Sequence, residues 1–235
     1  MPNYYPVMLD VRSRPVIVIG GDRVAAEKAA ALAASGALVS VLSPEFSTEV
    51  LELEQHGQVT LRAKSYEPGD LAGAFVVVAA TTDPALIAAI WRETQEHGQP
   101  VNIVDVPRYC TFILPSVLRR GKLTIAVSTE GASPSLAKRI RQQLEESFPP
   151  AYEGYIDLAA QARVYLRQQG IDYATRDAFF RDFMASDVLD ALSAGERQRA
   201  LALTCELLRE YGIEIQAGDL AAAFAKEQAD AATQL

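Results

Sequence analysis

The first 105 residues alternate between short apolar runs and longer helix-forming stretches, and this alternation restricts the fold more than any other feature. Five short runs predict strands at 16–20, 38–42, 59–62, 75–79 and 101–104. Three Ala-, Leu- or Glu-containing stretches predict helices at 24–35, 47–55 and 84–96. Continuous apolar runs are typical of strands that are buried on both faces. The pattern predicts an α/β fold, with a parallel sheet covered by helices on both sides.

The pattern changes after this domain. Residues 116–128 predict two strands joined near Gly121, and Ser133 and Pro134 predict the N-cap and first residue of a helix to about Ser147. The remainder predicts helices at about 152–169, 174–186 and 193–211. From Gln216 an Ala-rich tail is either a frayed helix or disordered. We therefore predict three parts, namely 1–113, 114–150 and 151–235.

A glycine pair joins the first strand to the first helix, which is the layout of a dinucleotide site. Gly20 and Ala25 occupy the first and third positions of the glycine pattern, but Asp22 occupies the second. A carboxylate there opposes a pyrophosphate, although the neighbouring Arg23 offsets its charge. Alternatively, Asp22 orders the turn. The turn predicts a nucleotide site, and a Rossmann-like fold that has lost its nucleotide is the alternative.

Charge is distributed unevenly along the chain. The net charge is −8, which argues against a nucleic-acid or anionic-membrane partner. Glu130 is the single acid between residues 108 and 141, which leaves that stretch at about +6. Its basic residues, here called the basic island, are Arg108, Arg119, Arg120, Lys122, Lys138, Arg139 and Arg141. The island predicts a local anionic ligand, and a solvated helix face is the alternative.

Composition excludes several other classes. No apolar run reaches the ~18 residues of a membrane-spanning helix. Residues 1–5 lack the basic and apolar regions of a signal peptide, so we expect a cytoplasmic protein. Cys110 and Cys205 are too few for a disulfide scaffold and are expected to be free thiols. Two histidines, His56 and His97, cannot alone form a zinc site, and we predict no bound metal.

An ordered set of short motifs resembles one known family. The motifs begin with PVMLDVR at 6–12, VIGGDRVAAEK at 18–28 and AATTD at 79–83. They continue with NIVDVP at 102–107, FILPS at 112–116 and IAVSTEGASP at 125–134. Together they resemble the precorrin-2 dehydrogenases, which include the N-terminal module of siroheme synthase. The resemblance covers about residues 4–150.

The resemblance implies a Rossmann-like domain, a central dimerisation segment and a helical C-terminal domain, paired as a homodimer. It implies NAD as cofactor and a tetrapyrrole as substrate, with precorrin-2 oxidised to sirohydrochlorin. Asp105 matches the essential aspartate of the family and is predicted to be the general base, while a cap on the turn before Pro107 is the alternative. The sequence departs from the family at Asp22, where the family commonly has a third consecutive glycine.

The candidate site residues form two sets. The predicted cofactor-binding residues are Gly20, Gly21, Asp22, Arg23, Val24, Ser43, Pro44, Glu45, Thr81 and Thr82. The predicted substrate-binding residues are Asn102, Pro107, Arg119, Arg120, Lys122, Ser128, Thr129 and Ser133. The alternatives to a dehydrogenase are a sirohydrochlorin ferrochelatase, alone or bifunctional, and a non-catalytic module that binds nucleotide or tetrapyrrole.

Overall fold

The computed structural model describes residues 4–222. The described chain forms two compact units, which divide between Leu114 and Pro115. Each unit is considered by itself. The division falls close to the first of the two domain boundaries expected from the sequence. The second expected boundary, near residue 150, separates segments that pack together within the second unit.

The first unit is built on a parallel five-stranded sheet. Its strands are β1 (Pro15–Ile19), β2 (Leu38–Ser43), β3 (Val59–Ala63), β4 (Val76–Ala79) and β5 (Val101–Ile103). Their order across the sheet is β3-β2-β1-β4-β5. The strands β2 and β3 are added on one side of β1, and β4 and β5 are added on the other side. The carboxyl ends of β1 and β4 therefore flank the crevice where such sheets bind ligands. The predicted Rossmann-like fold is confirmed.

Three helices connect these strands, and their bounds are α1 (Arg23–Ala33), α2 (Thr48–Gln55) and α3 (Pro84–Glu96). Asp83 caps α3 by accepting hydrogen bonds from the first-turn amides, and Pro84 occupies the first helical position. The buried valines and isoleucines of β1, β2 and β4 form one apolar cluster against α1 and another on the α3 side. The sheet is therefore covered on both faces, as its uninterrupted apolar runs predict.

The second unit begins with an antiparallel hairpin followed by a helix. The hairpin consists of β6 (Ser116–Arg120) and β7 (Leu123–Val127), and the helix is α4 (Pro134–Ser147). Ser133 is the N-cap of α4, and its hydroxyl accepts a hydrogen bond from the Leu136 amide at 3.3 Å. The predicted hairpin, cap and helix are all present.

Four further helices follow in the second unit, with bounds α5 (Ala151–Gln168), α6 (Tyr173–Ala185), α7 (Val188–Ser193) and α8 (Arg197–Glu210). The predicted third helix, 193–211, is wrong at its start, because the chain forms the short α7 and turns at Gly195, which has a φ of +76°. These helices share a core that includes Phe179, Phe183 and Leu208. Residues 217–222 are helical, and the rest of the predicted tail lies outside the described residues.

The described part of the chain contains no helix that combines the length and the apolar character needed to cross a membrane.

Candidate functional site

The carboxyl ends of β1, β4 and β5 lie in register at one edge of the sheet. Ile19 pairs with Ala79, and Ala79 pairs with Ile103. The residues that follow these strands therefore emerge side by side. They include the glycine turn after β1 and Asp105 after β5, and these two features are separated by one intervening strand, or roughly 10 Å at the usual strand spacing.

The glycine turn has no room for side chains. Gly20 has a φ of +121°, and a Cβ atom on it would lie 2.6 Å from the carbonyl oxygen of Ala80. A Cβ atom on Gly21 would overlap the carbonyl oxygen of Glu45. The turn thus packs directly against the segments that follow β4 and β2. Bare backbone at this point is what allows a phosphate group to approach the start of a helix.

Asp22 turns its side chain back onto helix α1. It is the N-cap residue, and its carboxylate accepts a hydrogen bond from the Ala25 amide at 2.9 Å. Asp22 therefore orders the turn, which is the second of the two roles that the sequence leaves open. No ion pair joins it to Arg23 within residues 4–222. The amides of Arg23 and Val24 precede the first intrahelical hydrogen bond, from Ala26 to Asp22, and face outward from the helix end.

Two other segments border the turn. Ser43 is the buried last residue of β2, and Pro44 and Glu45 follow it as exposed residues. Beyond β4, the hydroxyl of Thr81 accepts a hydrogen bond from the Asp83 amide at 3.2 Å, and Thr82 is exposed. The structure therefore brings the ten predicted cofactor-binding residues to one edge of the sheet. Their contacts with a nucleotide stay a prediction.

Asp105 occupies an unusual backbone conformation. Its φ is +60°, in the left-handed region that non-glycine residues rarely adopt. The residue is exposed, and its carboxylate forms no hydrogen bond or ion pair with any other residue in the described range. A carboxylate that is held on a constrained turn and not engaged in capping is free to accept a proton from a ligand.

The predicted substrate residues of the first unit lie beside this turn. Pro107 begins a single 3-10 turn that ends at Tyr109. The Asn102 side-chain amide donates to the carbonyl oxygen of Phe112 at 3.0 Å and lies 3.8 Å from the sulfur of Cys110. Asn102 therefore ties β5 to the segment that returns along it, in addition to any contact it makes with a substrate.

In the second unit the loop from Ser128 to Ser133 is held by its own hydroxyl groups. The hydroxyl of Ser128 accepts from the Glu130 amide, and that of Thr129 accepts from the Ser133 amide, both at 3.0 Å. Glu130 has a φ of +52°. The loop leads into the N-terminus of α4, as predicted, and its amides are largely satisfied internally.

The structure divides the basic island. Arg108 lies in the first unit, where its guanidinium stands over the Tyr109 ring. In the second unit Arg120 donates to the carbonyl oxygen of Phe148 at 2.9 Å, and Lys122 pairs with Asp157 at 3.2 Å. Arg119 is exposed on the hairpin. Two of the three predicted anion-binding residues of the hairpin, Arg120 and Lys122, thus have structural contacts.

Comparisons with known proteins agree with this architecture. Residues 7–116 match the family described as putative NAD(P)-binding, and residues 120–147 match the central region of sirohaem biosynthesis proteins. The siroheme synthase of Nitrosomonas eutropha is 36% identical over 207 residues, or 88% of this chain. That of Methylobacillus flagellatus is 33% identical over 215 residues, or 92%. The solved structure of SirC, a precorrin-2 dehydrogenase, aligns with a TM-score of 0.68 at 28% identity, covering 88% of this chain and 98% of SirC.

The chain combines a putative NAD(P)-binding domain with the central region of sirohaem biosynthesis proteins.

The curated siroheme synthases are longer than this chain. It spans about half the length of those it matches, with 46% of the Methylobacillus protein and 44% of the Nitrosomonas protein covered.

The backbone of the glycine turn fits the cofactor of a putative NAD(P)-binding domain. The overlap that any Cβ atom on Gly20 or Gly21 would cause leaves a bare turn ahead of α1. The outward amides of Arg23 and Val24 provide donors for phosphate oxygens. Asp22 opposes binding, because its negative charge lies at the positive end of the same helix.

Sequence reasoning missed one participant in the Asp105 turn. The sequence predicts only that Cys110 is a free thiol, yet its sulfur lies among the backbone groups on either side of Asp105. Burial raises the pKa of this thiol. No pattern in the sequence indicates the contact, because it depends on the chain returning along the edge of β5. Within residues 4–222, no cluster of three or more His, Cys, Asp or Glu side chains is suited to hold a metal ion.

Proposed function

We propose that the protein catalyses the NAD-dependent dehydrogenation of precorrin-2 to sirohydrochlorin. The observation that carries this proposal is the placement of a bare glycine turn and an unpartnered Asp105 carboxylate at one edge of a parallel sheet, with their strands in register. The matches to the NAD(P)-binding and sirohaem biosynthesis models and the alignment with SirC support the same reaction.

The reaction removes one hydride and one proton from the substrate. NAD⁺, when bound, accepts the hydride and becomes NADH. Asp105 is proposed to accept the proton, because its carboxylate is exposed and is not engaged by other described groups. The glycine turn and the amides at the start of α1 hold the cofactor phosphates. Arg119 is an exposed basic side chain of the hairpin, and its contact with a carboxylate of the substrate is part of the proposal.

NAD⁺ rather than NADP⁺ is the proposed cofactor. The segment after β2 is Ser43-Pro44-Glu45, which supplies no arginine for a 2′-phosphate and places a carboxylate nearby. We also propose a homodimer in the cytoplasm, with residues 114–150 as the dimerisation segment between a cofactor domain at 1–113 and a helical domain at 151–235. The resemblance to the family and the separate hairpin of the second unit support this arrangement.

A second candidate is the insertion of ferrous iron into sirohydrochlorin. The position of Asp22 favours it, because a carboxylate at the N-terminus of α1 weakens pyrophosphate binding but leaves Asp105 available to take protons from the macrocycle. Both activities are possible in one protein.

The test is anaerobic incubation of the purified protein with precorrin-2 and NAD⁺. The expected result is the formation of sirohydrochlorin and of NADH, and the absorption spectrum of the mixture monitors both products. A parallel incubation of sirohydrochlorin with Fe²⁺ and no NAD⁺ measures the second candidate. Absence of NAD⁺ binding and of NADH formation would contradict the dehydrogenase, and iron insertion in the same preparation would then assign the chelatase.

A further inference from the structure

The edge strand β5 is closed by a short return segment, residues 110–112, rather than by another strand. The Thr111 amide donates to the Val101 carbonyl at 2.8 Å, and the Thr111 hydroxyl accepts from the Val101 amide at 2.8 Å. The Asn102 side chain reaches the Phe112 carbonyl. At the next residue of β5, Ile103, the backbone amide contacts the sulfur of Cys110.

The Cys110 sulfur bridges the two ends of the turn that carries Asp105. It accepts a hydrogen bond from the Ile103 amide at 3.2 Å. Its S–H proton is within reach of the Ile103 carbonyl at 3.2 Å and of the Val106 carbonyl at 3.4 Å, and it can donate to one of them at a time. Ile103 precedes Asp105 by two residues and Val106 follows it directly, so one atom contacts both flanks of the turn.

The turn needs such support because Asp105 has an unfavourable backbone conformation. A φ of +60° persists in a non-glycine residue only when the surroundings impose it. The Asp105 side chain does not supply that support, since its carboxylate forms no hydrogen bond or ion pair within residues 4–222. The backbone hydrogen bonds that also hold the turn run from Val104 to Ala79, from Val106 to Ile103 and from Tyr109 to Val106. Ile103 is buried, so loss of its sulfur acceptor would leave its amide unsatisfied.

We propose that Cys110 is a positioning residue for Asp105, acting through the backbone of Ile103 and Val106. This inference rests on the proposed function, because it assigns Cys110 a task in the reaction at Asp105. The thiol is not a nucleophile in this role. It remains protonated, consistent with its burial among carbonyl and amide groups, and it fixes where the carboxylate stands.

The test compares Cys110→Ala, which removes both hydrogen bonds, with Cys110→Ser, which keeps a donor and an acceptor. In Cys110→Ala we expect kcat for precorrin-2 oxidation to fall roughly ten- to a hundredfold, the size of effect that a displacement of about 1 Å produces, with little change in either KM. Cys110→Ser should recover much of the loss. Because oxygen lies closer to Cβ than sulfur does, the recovery should be partial.

Two controls separate positioning from general stability. Thr111→Val removes a hydrogen bond from the same return segment at a distance from the turn, and Cys205→Ala removes the buried thiol of the second unit. Both are expected to keep kcat within about twofold of the wild type even where they lower the melting temperature. In an Asp105→Asn background, Cys110→Ala should cause no further loss of rate, because the group it positions is gone.

The outcomes distinguish the two proposals. If the wild type turns over and Cys110→Ala has an unchanged kcat, only the role of Cys110 is contradicted. The same holds if Cys110→Ala lowers the rate as much in the Asp105→Asn background as in the wild type. A lack of turnover by the wild-type protein contradicts the proposed dehydrogenase and this inference with it.

Discussion

The Asp22 carboxylate and the Ala25 amide form a 2.9 Å hydrogen bond at the end of α1 where a pyrophosphate would bind. The carboxylate thus stabilises the helix while it opposes an anionic ligand. We expect Asp22→Asn, which retains the cap without the charge, to bind NAD⁺ roughly fivefold more tightly, since one partly solvated charge contact is worth about 1 kcal/mol. Calorimetric titration of both proteins measures this. Equal affinities would show that the capping contact already neutralises the effect.

Asp22→Gly separates the two roles further. It should also tighten NAD⁺ binding, because it too removes the charge, but it loses the side-chain cap, which costs a few tenths of a kcal/mol. The melting temperature of the glycine variant should therefore lie slightly below that of the asparagine variant. A glycine variant that is more stable than both the wild type and the asparagine variant would contradict a capping role for Asp22.

Asp105 should be replaceable without loss of stability. We expect Asp105→Asn to keep the fold and reduce turnover by roughly 10²- to 10⁴-fold, because it removes the proton acceptor. Asp105→Gly should be equally inactive and at least as stable as the wild type, since glycine adopts a φ of +60° without strain. Turnover and thermal melting of the two variants test this, and near-native turnover in either would remove Asp105 from the mechanism.

Cofactor selection should favour NAD⁺. At matched concentrations we expect a higher kcat/KM with NAD⁺ than with NADP⁺, because Glu45 would face a 2′-phosphate and no arginine stands in the segment after β2. Steady-state rates with both cofactors measure the preference. A Glu45→Gln variant should narrow the gap, and equal rates in the wild type would contradict the assignment of this segment.

Neighbouring basic residues of the hairpin should respond differently to neutralisation. Arg119→Gln should raise the KM for the tetrapyrrole and reduce its salt dependence, because the Arg119 side chain is exposed. Lys122→Gln should instead destabilise the fold by roughly 1–2 kcal/mol, because it leaves the buried Asp157 carboxylate without its ammonium partner. Substrate titration and urea unfolding of both variants separate the two effects.

Both thiols should react slowly at neutral pH. Burial raises the pKa of Cys110 and of Cys205, and only the thiolate is alkylated. At any given pH below the shifted pKa, the reactive fraction is therefore smaller than in an ordinary cysteine. We expect the alkylation rate of the native protein to reach half its maximum above pH ~8.5, the ordinary value. Mass spectrometry measures the extent of alkylation at each cysteine as the pH is varied. A midpoint at or below that pH would contradict the structure around these sulfurs.

The sequence predicts the architecture well where local signals and burial agree. The apolar runs of β1 and β4 and the Asp83-Pro84 start of α3 are local features, and the structure places each within a residue or two of its expected position. The predicted helix at 193–211 fails because the left-handed turn at Gly195 competes with a helical pattern that extends across it. The sequence of one chain does not show whether the glycine turn or the helical pattern is the stronger signal.

The candidate site could be predicted only as a set of segments. The order of the strands brings the turns after β1 and β5 to one edge, which follows from the parallel fold. The capping contact of Asp22 and the sulfur contacts of Cys110 depend on side-chain direction and on the return of the chain along β5. The partners of Arg120 and Lys122 lie 28 and 35 residues away along the chain, so no local pattern marks them.

The close packing of Gly21 against the Glu45 carbonyl also bears on protein engineering. The segment after β2 is the natural place to redesign a cofactor preference, by insertion of residues or exchange of Pro44. Because that carbonyl already touches the phosphate-facing turn, any redesign that moves its backbone will move the turn as well. Selectivity for the ribose and affinity for the pyrophosphate are therefore mechanically linked in this protein, and a variant library would succeed only where side chains change and the course of the loop does not.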